Sequence, residues 1–115
     1  MNTKRHAYQA YYCEENIWQL AQHPPDDITH PHVIMISNPT RSCALWLQRA
    51  APTKDHVVIW DYHVIYLGRD KTSGAWWVWD LDTWLDCPTP AQRYFSMTFS
   101  GYEAWPAIYQ PMFRL

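Results

Sequence analysis

One stretch of this chain, Glu14 to Gln22, repeats its apolar residues at a helical period. Every patterned run after it, as far as Trp79, is short and β-type. A single helix followed by several strands with no helices between them argues for an α+β fold in which an N-terminal helix packs on a mostly antiparallel sheet. Ile17, Leu20 and Ala21 share one face of the expected helix, with Trp18 beside it. Glu14 and Glu15 supply the negative charge that a first turn favours, which puts Cys13 at the N-terminal edge. Pro24-Pro25 ends the helix, because proline lacks the amide donor that the next turn requires. The β-type runs are His32 to Ser37, Ala44 to Gln48 centred on Leu45 and Leu47, Val57 to Leu67 as one bent strand or two, and Ala75 to Trp79 after a turn at Thr72-Ser73-Gly74. A short helix is expected over Ala91 to Phe99, after Pro90. The Pro-interrupted, aromatic stretch from Gly101 to Leu115 carries no clear element signal.

A chain of 115 residues builds one small domain around one core, so a single domain over 1–115 is expected. The formal charge of −2, without runs of like charge, offers no basic surface for nucleic acid and no membrane-binding patch. No apolar run reaches the ~20 residues of a membrane helix, and Met1 to Tyr12 has no apolar signal-peptide region. Three glycines leave no glycine-rich phosphate loop. Three cysteines, an odd count with no framework spacing, point to free thiols in a reducing compartment, cytosol or nucleus. Eight Trp and eight Tyr mainly fill core volume, and some of them wall a small-ligand cleft.

A nucleophilic cysteine needs a stabilised thiolate, a base within reach and a third group that orients the base. Cys13 stands where a helix begins, and the amide groups and dipole there favour a thiolate. His63 opens the apolar run Val64-Ile65-Tyr66-Leu67, a rigid support for an imidazole, and Asp80 follows another apolar strand. Each of these alone has an ordinary structural reading: a small buried hydrophobe, a strand-edge histidine, a turn aspartate. Cys43 and Cys87 belong to no motif and are expected to be structural, half-buried thiols. His30 and His32 flank Pro31 without a second ligand pair at zinc spacing, so no metal is expected, cysteine acyl chemistry calls for no cofactor, and His6, His23 and His56 are placed on the solvent side.

The residues around the three positions carry more. Tyr12-Cys13-Glu14-Glu15-Asn16-Ile17-Trp18 resembles the nucleophile motif of the protein N-terminal glutamine amidohydrolase family. Trp60-Asp61-Tyr62-His63-Val64 resembles the WDYHV signature of that family, and Asp80-Leu81-Asp82-Thr83 its third motif. Ile36-Ser37-Asn38, between the first two, also matches. The resemblance is close from about Tyr11 to Thr83 and loose from Asp86 onward. Position by position it implies Cys13 as nucleophile, His63 as general base and Asp80 as the triad acid. Asp82 is left a turn or cap role and Asp61 a structural one.

The implied fold is a papain-like or transglutaminase-like cysteine-hydrolase core. The implied reaction is deamidation of an N-terminal glutamine to glutamate through a thioester, with release of ammonia and entry of the product into the N-degron arginylation pathway. The implied partners are proteins or peptides that begin with Gln, met by a cytoplasmic or also nuclear monomer with no cofactor. Glu15 is the candidate for binding the substrate's α-ammonium group, and Trp60 and Tyr62 are candidates for lining the pocket. The family's chains are longer, so this one is expected to hold part of the domain. Two alternatives stay open: a shortened, inactive homologue that only binds, and a different transglutaminase-like cysteine hydrolase.

Overall fold

The computed structural model describes residues 13–114, with side chains from Ile17 onward. Helix α1 (Cys13–Gln22) is followed by strands β1 (Ile28–Ser37), β2 (Cys43–Leu45), β3 (Val58–Trp60), β4 (His63–Asp70), β5 (Trp76–Trp79) and β6 (Thr89–Pro90). Helix α2 (Ala91–Thr98), two short 3-10 turns at Tyr102–Ala104 and Ala107–Tyr109, and strand β7 (Met112–Arg114) complete the order. Five strands form one sheet in the order β6-β5-β4-β1-β7, every neighbouring pair antiparallel, and β2 and β3 form a separate antiparallel pair. The fold is α+β with an antiparallel sheet, as the run of strands after one helix implies. Among the described residues no helix is long and apolar enough to cross a membrane.

The pleat of β4 sends alternate side chains to two separate cores. Val64 and Tyr66 join Ile17 and Leu20 of α1, together with Trp79, Leu81 and Cys87. Ile65 joins Ile34, Ile36, Cys43, Leu45 and Val78 with Tyr94 and Phe99 on the α2 side. Helix α1 buries Ile17 and Leu20, but Ala21 and Trp18 stay exposed, and they share an apolar groove with Val33 and Met35 of β1. The helical period places Ala21 correctly. It cannot show that the outward residues of β1 lack a covering element among the described residues.

The run Val57 to Leu67 resolves into two strands, β3 in the small pair and β4 at the centre of the main sheet, with the break at Asp61-Tyr62. Strand β1 starts four residues before the expected His32, because a bulge between Thr29 and His32 absorbs Pro31, with His30 at φ 51. The tail is more ordered than its sequence implies. The buried Asn38 donates to the carbonyls of Ile108 and Gln110, both at 3.0 Å, and its Oδ1 accepts the Ser42 amide at 2.9 Å. One side chain thus ties the β1–β2 turn to the segment that leads into β7.

Gly68, on β4, has no room for a side chain: a Cβ there would lie 2.2 Å from Ile28 Cγ2 and 3.5 Å from the Trp79 ring. Gly68→Ala should therefore overpack the sheet and lower stability by about 1–3 kcal/mol, read as a lower urea midpoint with an unchanged slope.

Candidate active site

Strand β4 begins with His63, and Asp80 is the first residue after β5, so the antiparallel pairing of Tyr66 with Trp79 brings the two to the same end of the sheet. Both lie on the α2 side, two residues from Ile65 and Val78, and both are buried, at 0% and 1% exposure. His63 Nε2 is 3.0 Å from Asp80 Oδ2.

Asp80 is surrounded by donors. The Tyr94 hydroxyl donates to Oδ2 at 2.7 Å, Gln48 Nε2 donates to the same oxygen at 3.1 Å, and the Asp82 amide donates to Oδ1 at 2.9 Å. Burial works against a charged carboxylate here, but His63, Tyr94 and Gln48 outweigh it and hold the Asp80 carboxyl below its ordinary pKa. The same buried charge, added to desolvation, pushes the Tyr94 phenol well above its ordinary value, so the hydroxyl stays a donor. Trp60 covers the imidazole, with ring centroids 5.4 Å apart and planes 17° from parallel, and its indole N–H donates to Gln48 Oε1 at 3.2 Å.

The other positions singled out from the sequence divide. Tyr62 is half-buried against the α1-side core, on the opposite face of the sheet from the imidazole. Asp61 is exposed, 3.6 Å from Arg41, and its Oδ1 accepts the Tyr62 amide, so it takes no part in orienting His63. Asp82 stands in the turn after β5, as expected, but it is buried, at 3% exposure, and its carboxylate lies with His63 and Asp80 in a group whose ligand-type atoms fall within 4.8 Å of one another. The strand ends at Trp79, so Asp82 reaches this place through the turn after β5 rather than by strand alternation. Those three residues are the one set of metal-ligand type among the described residues. Asp80 Oδ2, however, meets N–H and O–H protons where a cation would sit, which suits a proton-handling group better than a metal ligand. Cys13 opens α1, while its side chain and that of Glu15 lie outside the described residues.

The chain matches the model of a family described as N-terminal glutamine amidase over residues 8–115. It belongs to that family. The proteins named protein N-terminal glutamine amidohydrolase from Drosophila ananassae, Drosophila mojavensis and Drosophila virilis are each 34% identical to it, over 95% of this chain and 55% of the relative. The chain therefore spans about half the length of the curated relatives it matches.

Within this member of the amidase family, Cys43 and Cys87 are free and fully buried rather than half-buried. Desolvation pushes Cys43 up to about 11. Desolvation and the nearby Asp80 charge push Cys87 up to about 12, so both remain protonated and unreactive at neutral pH. Gln48 and Tyr94 are the site residues that sequence reasoning missed. The one available signal was a glutamine closing the otherwise apolar run from Ala44, where a polar side chain demands a partner if it is buried.

Proposed function

We propose that this chain carries the catalytic constellation of a protein N-terminal glutamine amidohydrolase, with Cys13 as nucleophile, His63 as general acid and base, and Asp80 as the orienting acid. The observation that carries the reading is the buried His63–Asp80 contact at 3.0 Å, in a chain whose first helix begins at Cys13. Helix α1, which starts at Cys13, packs Ile17 and Leu20 on β4, the strand that starts with His63. A cysteine at a helix start followed by His and Asp on antiparallel strands is also the basis for proposing a papain-like or transglutaminase-like core, of which 1–115 is a part.

In this mechanism Asp80 engages Nε2 of His63, so Nδ1 exchanges the proton with the thiol. The Cys13 thiolate attacks the carboxamide carbon of an N-terminal glutamine side chain. The carbon–nitrogen bond breaks, and the departing nitrogen takes the His63 proton and leaves as ammonia. His63 then removes a proton from water as the water attacks the thioester. The carbon–sulfur bond breaks, and the protein is released with an N-terminal glutamate. The Cys13 backbone amide, at the helix start, is the candidate oxyanion donor. Glu15 is retained as the candidate acceptor for the substrate's free α-ammonium group, and Trp60 helps to wall the reacting end. The product, now beginning with Glu, suits arginylation and the N-degron pathway. Cys43 and Cys87, as free buried thiols, agree with a reducing compartment such as cytosol or nucleus.

The test is ammonia release from a Gln-initiated peptide, beside the same peptide acetylated at its N-terminus and beside Cys13→Ala protein. Release that requires both the free amine and Cys13 is expected. Release from the acetylated peptide would make this a broader cysteine amidase. No release from well-folded protein would favour a chain that binds without turnover.

A further inference from the structure

We propose that Gln48 is a positioning residue of the site, one that locks the two restraints on the His63 imidazole to each other. This rests on the functional reading above. The imidazole is held on its edge by Asp80 and on its face by Trp60. Both of those groups are bound by the one Gln48 amide: its Nε2 donates to Asp80 Oδ2 at 3.1 Å, and its Oε1 accepts the Trp60 indole N–H at 3.2 Å. The amide cannot flip without losing both bonds, because Asp80 only accepts and the indole only donates. Gln48 is 0% exposed, so water cannot substitute for either partner without repacking.

The backbone around Gln48 is built to hold it. Leu47 sits at φ 58, a left-handed conformation that a leucine adopts only under constraint. The constraint is a clamp onto the segment after Asp80. Leu47 O accepts the Trp84 amide at 2.8 Å and the Thr83 hydroxyl at 3.2 Å, and the Arg49 amide donates to Asp82 O at 2.7 Å. Leu47, Gln48 and Arg49 are thereby registered against Asp82, Thr83 and Trp84, with Gln48 bridged to Thr83. The strain beside Gln48 and the clamp that sustains it both set the distance from the Gln48 amide to Asp80.

Two variants test the assignment. Gln48→Met keeps volume and removes both hydrogen bonds. It should lower kcat for a Gln-initiated peptide about tenfold or more while KM stays within about twofold, because the reacting geometry is disturbed and not the substrate contacts. Gln48→Glu keeps the shape and guards against a Met variant that does not fold. When protonated, its carboxyl donates to Asp80 and accepts from Trp60 as the amide does. When ionised, it loses the donor and faces the Asp80 charge, and burial beside that charge raises its pKa. Its kcat relative to the unaltered protein should therefore fall as pH rises from about 6 to about 9, a profile that a merely structural glutamine would not impose. Ring ¹⁵N–¹H spectra of His63 provide an arm independent of turnover: in Gln48→Met the Nε2–H signal should shift and exchange about tenfold or more faster. If the unaltered protein releases no ammonia, the functional reading falls, and the spectra still decide the role of Gln48. A Gln48→Met protein with kcat within twofold and an unmoved His63 signal, or a Gln48→Glu protein whose pH profile overlays that of the unaltered one, would overturn the proposal.

Discussion

Asp80→Asn should lower the rate of ammonia release from a Gln-initiated peptide by roughly 10³- to 10⁴-fold, the scale seen when the acid of a hydrolytic triad is replaced by its amide. The reason lies in what surrounds the carboxylate. Its Oδ2 faces His63 Nε2 and accepts from Gln48 and Tyr94, while its Oδ1 accepts the Asp82 amide. The hydrogen-bond partners seen at both oxygens are donors, so an asparagine NH₂ in place of either oxygen meets a donor where an acceptor is needed. The less damaging choice turns it toward the Asp82 amide and leaves oxygen toward His63. The imidazole then keeps its orientation but loses the charge that stabilises it as an imidazolium during turnover. KM should change little, because Asp80 is buried behind the imidazole and is not placed to touch substrate.

The same substitution has a pH signature in stability. The folded-state pKa of Asp80 is depressed, with burial opposing the shift and His63, Tyr94 and Gln48 producing it. A depressed carboxyl contributes stability that is present above the unfolded carboxylate value of about 4 and is lost as pH falls toward the folded value. Urea unfolding should show Asp80→Asn clearly less stable than the unaltered protein at neutral pH. The gap should narrow as pH drops below about 4, where protonation removes the charge from the unaltered protein as well.

The framework of this site was legible where the chain states its chemistry locally. Ile17 and Leu20 at helical spacing, with Pro24-Pro25 after them, define α1 with Cys13 at its start. The apolar runs at His63 and before Asp80 define the strands that carry the pair, and the motif resemblance selects Asp80 over Asp82 and Asp61. What was not legible depends on distance in the chain. Gln48 reaches Asp80 across 32 positions and Tyr94 across 14, and neither a glutamine at a strand end nor a tyrosine on a short helix announces such a partner. The expected strand Ala44 to Gln48 stops at Leu45 because Leu47 turns into the left-handed region, a conformation that leucine does not encode and that contacts with Thr83 and Trp84 impose. Asp82 carries turn chemistry in sequence, and it is drawn into the site because its own amide caps Asp80. Tyr62 shows the converse: adjacent to His63 in the signature, it is sent by the pleat to the other core.

Trp79→Ala should be the most damaging single change to the fold, lowering stability by about 3–5 kcal/mol, as for other buried aromatics cut to alanine. Trp79 is the largest fully buried side chain of the described residues. It packs in the α1-side core with Ile17, Leu20 and Val64 and meets the Tyr66 ring edge-on at 5.4 Å and 85°. A domain of this size holds only about 5–15 kcal/mol in total, so the loss should appear as a large drop in urea midpoint by circular dichroism, or as failure to fold at 37 °C. Trp79→Phe separates cavity from polarity. It leaves a smaller void and deletes an indole N–H that, among the described residues, has no hydrogen-bond acceptor, so its cost should be well below that of the alanine variant. Activity should follow the same order, because Trp79 is the last residue of β5 and fixes where Asp80 leaves the sheet. An alanine variant that stays fully folded but loses ammonia release would locate its effect at the placement of Asp80. Loss of both together would mean that α1, which carries Cys13, and β4, which carries His63, are held in register through this one ring.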